Sequence, residues 1–198
     1  VTHHGGFDMA AFGAVPGLTI AAPMNEPELR NMMYTALGSG HPFMIRYPRG
    51  HGEGLPWRGE KFETLPVGRG RRLREGADVA LLTVGTVGNA AARAAGRAAA
   101  EGVSVAHYDL RFVKPLDEAL LDEVGRKFRR VVTVEDGSLR GGVGEAVAAF
   151  FNGRGYDVRV QRLGIGDEWV EHGTPGQLYA LCGYDEEGIL RALLDTRA

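Results

Sequence analysis

A single cysteine, Cys182, stands in 198 residues, which excludes an internal disulfide and any cysteine-rich metal cluster and fits a reducing compartment, read here as the cytoplasm. No stretch of about 18 apolar residues occurs, so no helix is expected to span a membrane. Charge of one sign is not in excess either: 23 Lys and Arg face 25 Asp and Glu, a net of -2. Nucleic acids and anionic membranes both call for a basic face, so neither is an expected partner. Small molecules and other copies of the chain are. The chain opens on Val1-Thr2-His3-His4-Gly5-Gly6 without an initiator methionine, a charged n-region or an apolar h-region, and is read as a piece of something longer. There is no repeat of solenoid period.

What is present suits a globular α/β protein, with 44% hydrophobic and 24% charged residues. Gly17 to Pro23 is a short apolar run bounded by chain-breakers and predicts a buried strand. Asn25 then offers an N-cap, with Pro27 in the first turn and Glu28 placed to complete a capping box. Leu29, Met32, Met33 and Leu37 would form the buried face of that helix, the methionines as packing. Pro42 to Pro48 predicts a second strand. From His51 to about Pro66 periodicity vanishes, and a surface linker is expected over 51–66. Beyond Val67, the runs Val79–Val84, Val103–Tyr108, Val131–Val134 and Val158–Leu163 alternate with helical segments at Asn89–Glu101, Asp117–Lys127 and Val143–Asn152. Two more helices, Thr174–Leu181 and Asp185–Asp195, close the chain. Such alternation predicts a mostly parallel sheet flanked by helices, and the Ala-rich stretch Ala90–Ala100 predicts close helix packing.

Few residues offer chemistry. His3 and His4 are adjacent and precede glycines, either as exposed loop histidines or as a proton donor and acceptor near neutral pH. His41, His51, His107 and His172 are scattered without metal-ligand spacing, which argues against zinc. Arg46 and Arg49 flank Tyr47-Pro48 beyond the second strand, where forked guanidinium donors suit a phosphate or carboxylate, or simply pair with surface acids. Gly141-Gly142-Val143-Gly144 opens a helix and either cradles an anion or makes a tight turn.

Four motifs in register carry a resemblance over essentially the whole chain: Thr2-His3-His4-Gly5-Gly6-Phe7-Asp8, Arg46-Tyr47-Pro48-Arg49-Gly50, Leu110 to Asp117 (Leu-Arg-Phe-Val-Lys-Pro-Leu-Asp), and Val134-Glu135-Asp136-Gly137 with Gly141-Gly142-Val143-Gly144. In this order they resemble the deoxyxylulose-phosphate synthases among the transketolase-like thiamine-diphosphate enzymes. Transketolases look like Thr-His-Gln where this chain has Thr2-His3-His4. The resemblance implies the end of a pyrimidine-binding domain over residues 1–50, a linker over 51–66, and a transketolase C-terminal domain over 67–198.

The family reaction would join the two-carbon unit left by pyruvate decarboxylation to glyceraldehyde 3-phosphate. In it, His3 would be the active-site proton carrier and Arg49 the grip on the acceptor phosphate, with His4 and Arg46 mainly structural. The family's Gly-Asp-Gly…Asn segment, which holds magnesium and the diphosphate, has no counterpart here, and the glutamate that drives ylide formation belongs upstream of Val1. The chain alone is therefore expected to be inactive. Thiamine diphosphate and Mg2+ would be bound by an N-terminal portion of the same enzyme, within a homodimer. Two other readings stay open at this point: another member of the same superfamily, such as a transketolase-like enzyme or a 2-oxoacid dehydrogenase beta subunit, and a non-catalytic dimerisation module.

Overall fold

The computed structural model describes residues 5–59 and 61–195, and two sheets organise them. A 3-10 turn at Gly5–Phe7 runs into helix α1 (Asp8–Gly13), strand β1 (Thr19–Ala21), helix α2 (Glu26–Gly38) and strand β2 (Phe43–Ile45). After a long extended segment follow β3 (Arg71–Arg74), β4 (Val79–Val84), α3 (Val87–Ala100), β5 (Val105–Asp109), β6 (Phe112–Lys114), α4 (Glu118–Lys127), β7 (Arg130–Ser138), α5 (Val143–Gly153), β8 (Arg159–Ile165), α6 (Pro175–Leu181) and α7 (Glu186–Leu194). The larger sheet has the order β3-β5-β4-β7-β8, parallel except for β3 at its edge.

Strand β4 shows why this sheet sits between two helical layers. Every one of its residues is buried, as a central parallel strand requires. Val79 and Leu81 point into a core shared with α3 and α7. Ala80 and Leu82 point the other way, into one shared with α4 and α5. The alanines of α3 now have a reason: Ala91, Ala94, Ala95 and Ala98 are fully buried, packed with Ile189 and Leu193 of α7. Small side chains let the two helix axes approach closely.

Three features depart from the sequence reading. Strands β3 and β6 are additions, the first an Arg-rich edge strand whose charged pattern carried no strand signal. Strand β6 is the more consequential, because it leaves the second half of the chain and pairs antiparallel with β1, giving a small sheet of order β2-β1-β6. Phe112 is fully buried there beside Ala21, Met32 and Leu65.

The second departure is the face that α2 buries. Met33 is 55% exposed and Leu37 88%, while Glu28, Asn31, Met32 and Thr35 are the buried residues. The reason lies in the segment after β2, which has no strand partner for its backbone and takes side-chain partners from α2 instead. Asn31 Oδ1 accepts from the N–H of Glu63 and Thr35 Oγ1 from that of Leu65, and Arg30 donates to the carbonyls of Trp57 and Lys61. The surface linker is thus strapped to a polar helix face.

The third concerns Glu28. Asn25 caps α2 by accepting from the Glu28 N–H at 3.1 Å. The Glu28 carboxylate, however, reaches past the cap to the Met24 N–H, at 2.9 Å. Its other oxygen binds Arg71 Nη2 at 2.9 Å and Arg111 Nε at 2.8 Å. Arg71 also holds Asp109, at 3.1 Å, and the Arg111 N–H donates to Asp109 at 3.0 Å. Arg111 occupies the left-handed region with φ 59°, the geometry that lets its backbone serve Asp109 while its side chain serves Glu28. Burial, then the Glu28 charge, pushes the Asp109 carboxyl up to about 7.

Two expectations follow from these buried groups. Glu28→Ala leaves Arg71 and Arg111 with one carboxylate between them and should cost about 3–5 kcal/mol, read as a lowered midpoint in denaturant unfolding of the chain. A midpoint unchanged from wild type would mean that the cluster is dispensable. His107, on β5, is almost wholly buried against Thr83 Oγ1 at 2.9 Å. Burial, then Arg71 and Arg74, lower its pKa from 6.5 to about 4. Folding therefore excludes a proton that the unfolded chain binds, so the stability of the neutral ring is whole above pH 6.5 and is lost as pH falls towards 4. Between those limits the wild type should lose roughly 2–3 kcal/mol relative to His107→Gln. A constant gap between the two proteins across that range would show that the ring protonates as readily folded as unfolded.

Candidate functional site

Residues at or just beyond the carboxyl ends of β1, β2, β4, β7 and β8 line one region of the molecule, the location where α/β folds place ligands. Two clefts open there, of about 300 Å³ and about 660 Å³, and share a wall made of Tyr47, Pro48, Arg49, Pro175, Tyr179 and Tyr184. The smaller reaches Gly5, Gly6 and Asp8 at the start of the described chain and Asp136 at the end of β7. The larger extends over the loop before α2, from Pro23 to Glu26, to the first turns of α3 at Thr86, Val87 and Asn89. The larger cleft thus lies beyond β4 and the smaller beyond β7, on either side of the point where successive crossovers leave in opposite directions.

The two arginines flanking Tyr47-Pro48 have different fates. Arg46 is largely buried and donates to Asp136 Oδ2 at 2.9 Å, with Asp8 Oδ2 at 3.6 Å from its Nε. Burial works against its charge, but Asp136 and Asp8 outweigh that and hold its pKa above the ordinary value. Asp136 also accepts from the hydroxyls of Tyr184 at 2.9 Å and Tyr179 at 3.2 Å. Burial, then the Asp136 charge, pushes the Tyr179 hydroxyl up to about 12 and raises that of Tyr184 as well. Both tyrosines therefore stay protonated donors to Asp136. Arg49, three residues further along, is exposed at the mouth of both clefts. Among the described residues no hydrogen bond or ion pair holds its guanidinium.

The glycine-rich turn is spoken for. Glu135, at the end of β7, lies beneath the first turn of α5 and accepts from the N–H groups of Val143 and Gly144, both at 2.8 Å. Burial raises its pKa, while those two N–H groups lower it in part. A Cβ on Gly142 would fall 2.1 Å from the Ser138 carbonyl and 2.5 Å from the Glu135 carboxylate, so the turn needs glycine to close over the acid. The anion at this helix N-terminus is the protein's own side chain. No group of three or more metal-ligating side chains occurs among the described residues.

Of the residues singled out from sequence, Arg49 lines the clefts and His3 lies outside the described residues. Among the described histidines, His41 is bound to Thr19 and Ser39, His107 is in the core, and His51 borders the larger cleft. Asp8 and Asp136 stood inside quoted motifs without being assigned a role. Tyr179 and Tyr184 lie in segments with no motif, and nothing in their local sequence points to Asp136.

Known proteins resemble the chain in both halves. Residues 1–53 match the model of the transketolase pyrimidine binding domain, and residues 68–189 that of the transketolase C-terminal domain. A 1-deoxy-D-xylulose-5-phosphate synthase of Bacteroides fragilis is 54% identical over 99% of this chain, and one of Symbiobacterium thermophilum 44% identical over 95%. The chain spans 30% and 29% of those two relatives' lengths. A solved structure described as a split gene transketolase, inactive beta4 tetramer, superposes with a TM-score of 0.83 over 94% of this chain and 60% of its own, at 29% identity. No helix among the described residues is long and apolar enough to cross a membrane. The chain belongs to the transketolase family, with a match to its pyrimidine-binding domain followed by its C-terminal domain.

Proposed function

We propose that this chain is the C-terminal part of a 1-deoxy-D-xylulose-5-phosphate synthase, acting in the cytoplasm in the synthesis of isoprenoid, thiamine and pyridoxal phosphate precursors. Residues 1–50 would be the end of the pyrimidine-binding domain, 51–66 the linker and 67–198 the C-terminal domain. The observation that carries the reading is the contrast between the two arginines: Arg46 is locked by Asp136 and Asp8, while Arg49, without a partner among the described residues, presents its guanidinium to both clefts. Such a planar fork of donors suits the phosphate of an acceptor aldehyde.

In this reading the enzyme condenses pyruvate, with loss of carbon dioxide, with glyceraldehyde 3-phosphate. Thiamine diphosphate, held with Mg2+ by the N-terminal portion, supplies the nucleophile and electron sink. This chain's own residues bind and orient. Arg49 draws in the acceptor phosphate and aligns the carbonyl, turning remote binding energy into orientation at the reacting centre. His3 moves a proton at the oxygen of the pyruvate-derived unit or of the acceptor. Sequence resemblance supports that role, since His3 lies outside the described residues. The working assembly would be a homodimer of the complete enzyme, and the chain alone would be inactive.

The test uses the full-length parent with pyruvate, thiamine diphosphate and magnesium, following acceptor-dependent carbon dioxide release. Arg49→Ala should raise the KM for glyceraldehyde 3-phosphate roughly 10–100-fold and leave that for unphosphorylated glyceraldehyde unchanged. Equal losses on both acceptors would remove the phosphate grip, and absence of any acceptor-dependent product would remove the synthase reading itself.

A further inference from the structure

The loop that carries Arg49 is held at two ends. Upstream, the Arg46 N–H donates to the Ala21 carbonyl at 2.8 Å while its side chain is locked by Asp136. Downstream, residues 50–56 form no helix, strand or turn, and here a single side chain takes over. Glu26, in the first turn of α2, accepts from the Gly54 N–H at 2.7 Å. Its own N–H and that of Gly54 lower its carboxyl pKa, outweighing the opposing effect of burial. Gly52 is pressed against the same carboxylate: a Cβ there would lie 2.2 Å from Glu26 Oε1 and 2.4 Å from Cδ. Its three nearest neighbours are all side-chain atoms of Glu26, so a methyl at this position would displace that carboxylate. Glu26, Gly50, Gly52 and Glu53 border the larger cleft with Arg49.

We propose that Glu26 is a positioning residue for the acceptor site: its carboxylate latches the 50–55 loop to the start of α2, and so fixes the direction in which Arg49 faces an anionic ligand. The inference rests on Arg49 gripping the acceptor phosphate. Without the latch, the loop beyond Arg49 loses its fixed anchor and the guanidinium samples many directions, so phosphate affinity falls while the cleft remains open.

Gly52 makes the test specific. In the full-length enzyme, Glu26→Ala removes the latch, and Gly52→Ala forces it apart while leaving Glu26 in place. Each should raise the KM for glyceraldehyde 3-phosphate roughly five- to tenfold and leave the KM for unphosphorylated glyceraldehyde unmoved. The double variant should be no worse than Glu26→Ala alone, because the added methyl then meets no carboxylate. Additive losses in the double variant, or losses equal on both acceptors, would overturn the latch. Arg49→Ala runs alongside: if it leaves the phosphorylated acceptor's KM unchanged, the phosphate grip has failed. If it raises that KM while both single variants behave as wild type, the grip stands and the latch is wrong.

Discussion

Two carboxylates and two guanidiniums, Glu28 and Asp109 with Arg71 and Arg111, hold the two sheets in register. Ions withdrawn from water are costly unless each is paired and its remaining lone pairs are satisfied. Here each carboxylate has such partners, and each lies on a different element: α2, the end of β5, the edge strand β3 and the turn before β6. The cluster therefore forms only when all four elements are in place, which makes it a device for specifying their arrangement as much as for stabilising it. One Glu28 oxygen also fixes the Met24 N–H, so the same group that joins the sheets shapes the wall of the larger cleft.

Around that junction the chain divides its labour. Buried acids occupy positions that would otherwise attract ligands: Glu135 fills the first turn of α5, and Asp136 is enclosed by Arg46, Tyr179 and Tyr184. Among the described residues, the Arg49 guanidinium at the clefts has no such partner.

Much of this was legible in the sequence, and unevenly so. The central strands of the larger sheet are continuous apolar runs between chain-breakers, a pattern with few alternatives, and β4 runs from Val79 to Val84 as read. Strand β3, Arg-Arg-Leu-Arg, was invisible because an edge strand with charges on both faces has no period to detect. Strand β6 was hidden inside a motif, where Phe112 looks apolar but nothing says which sheet it joins. The face of α2 was misread because its buried positions are polar and serve the backbone of a distant segment, a demand that hydrophobic spacing does not register. In the clefts, Arg49 was found through its motif, whereas the two tyrosines bound to Asp136 needed the fold, since 43 and 48 residues separate them from it.

The antiparallel pairing of β6 with β1 changes what the segment between β2 and β3 has to do. That segment connects two halves whose small sheet is already shared, and whose buried ion cluster spans the division. Backbone hydrogen bonds and packing, with Phe112 seated among Ala21, Met32 and Leu65, hold the halves together independently of the covalent link. The division between domains in this chain is thus one of sequence order more than of mechanics. Motion that opens the clefts would have to come from side chains and the loops at their rim, since hinging one half against the other would tear a strand from its sheet.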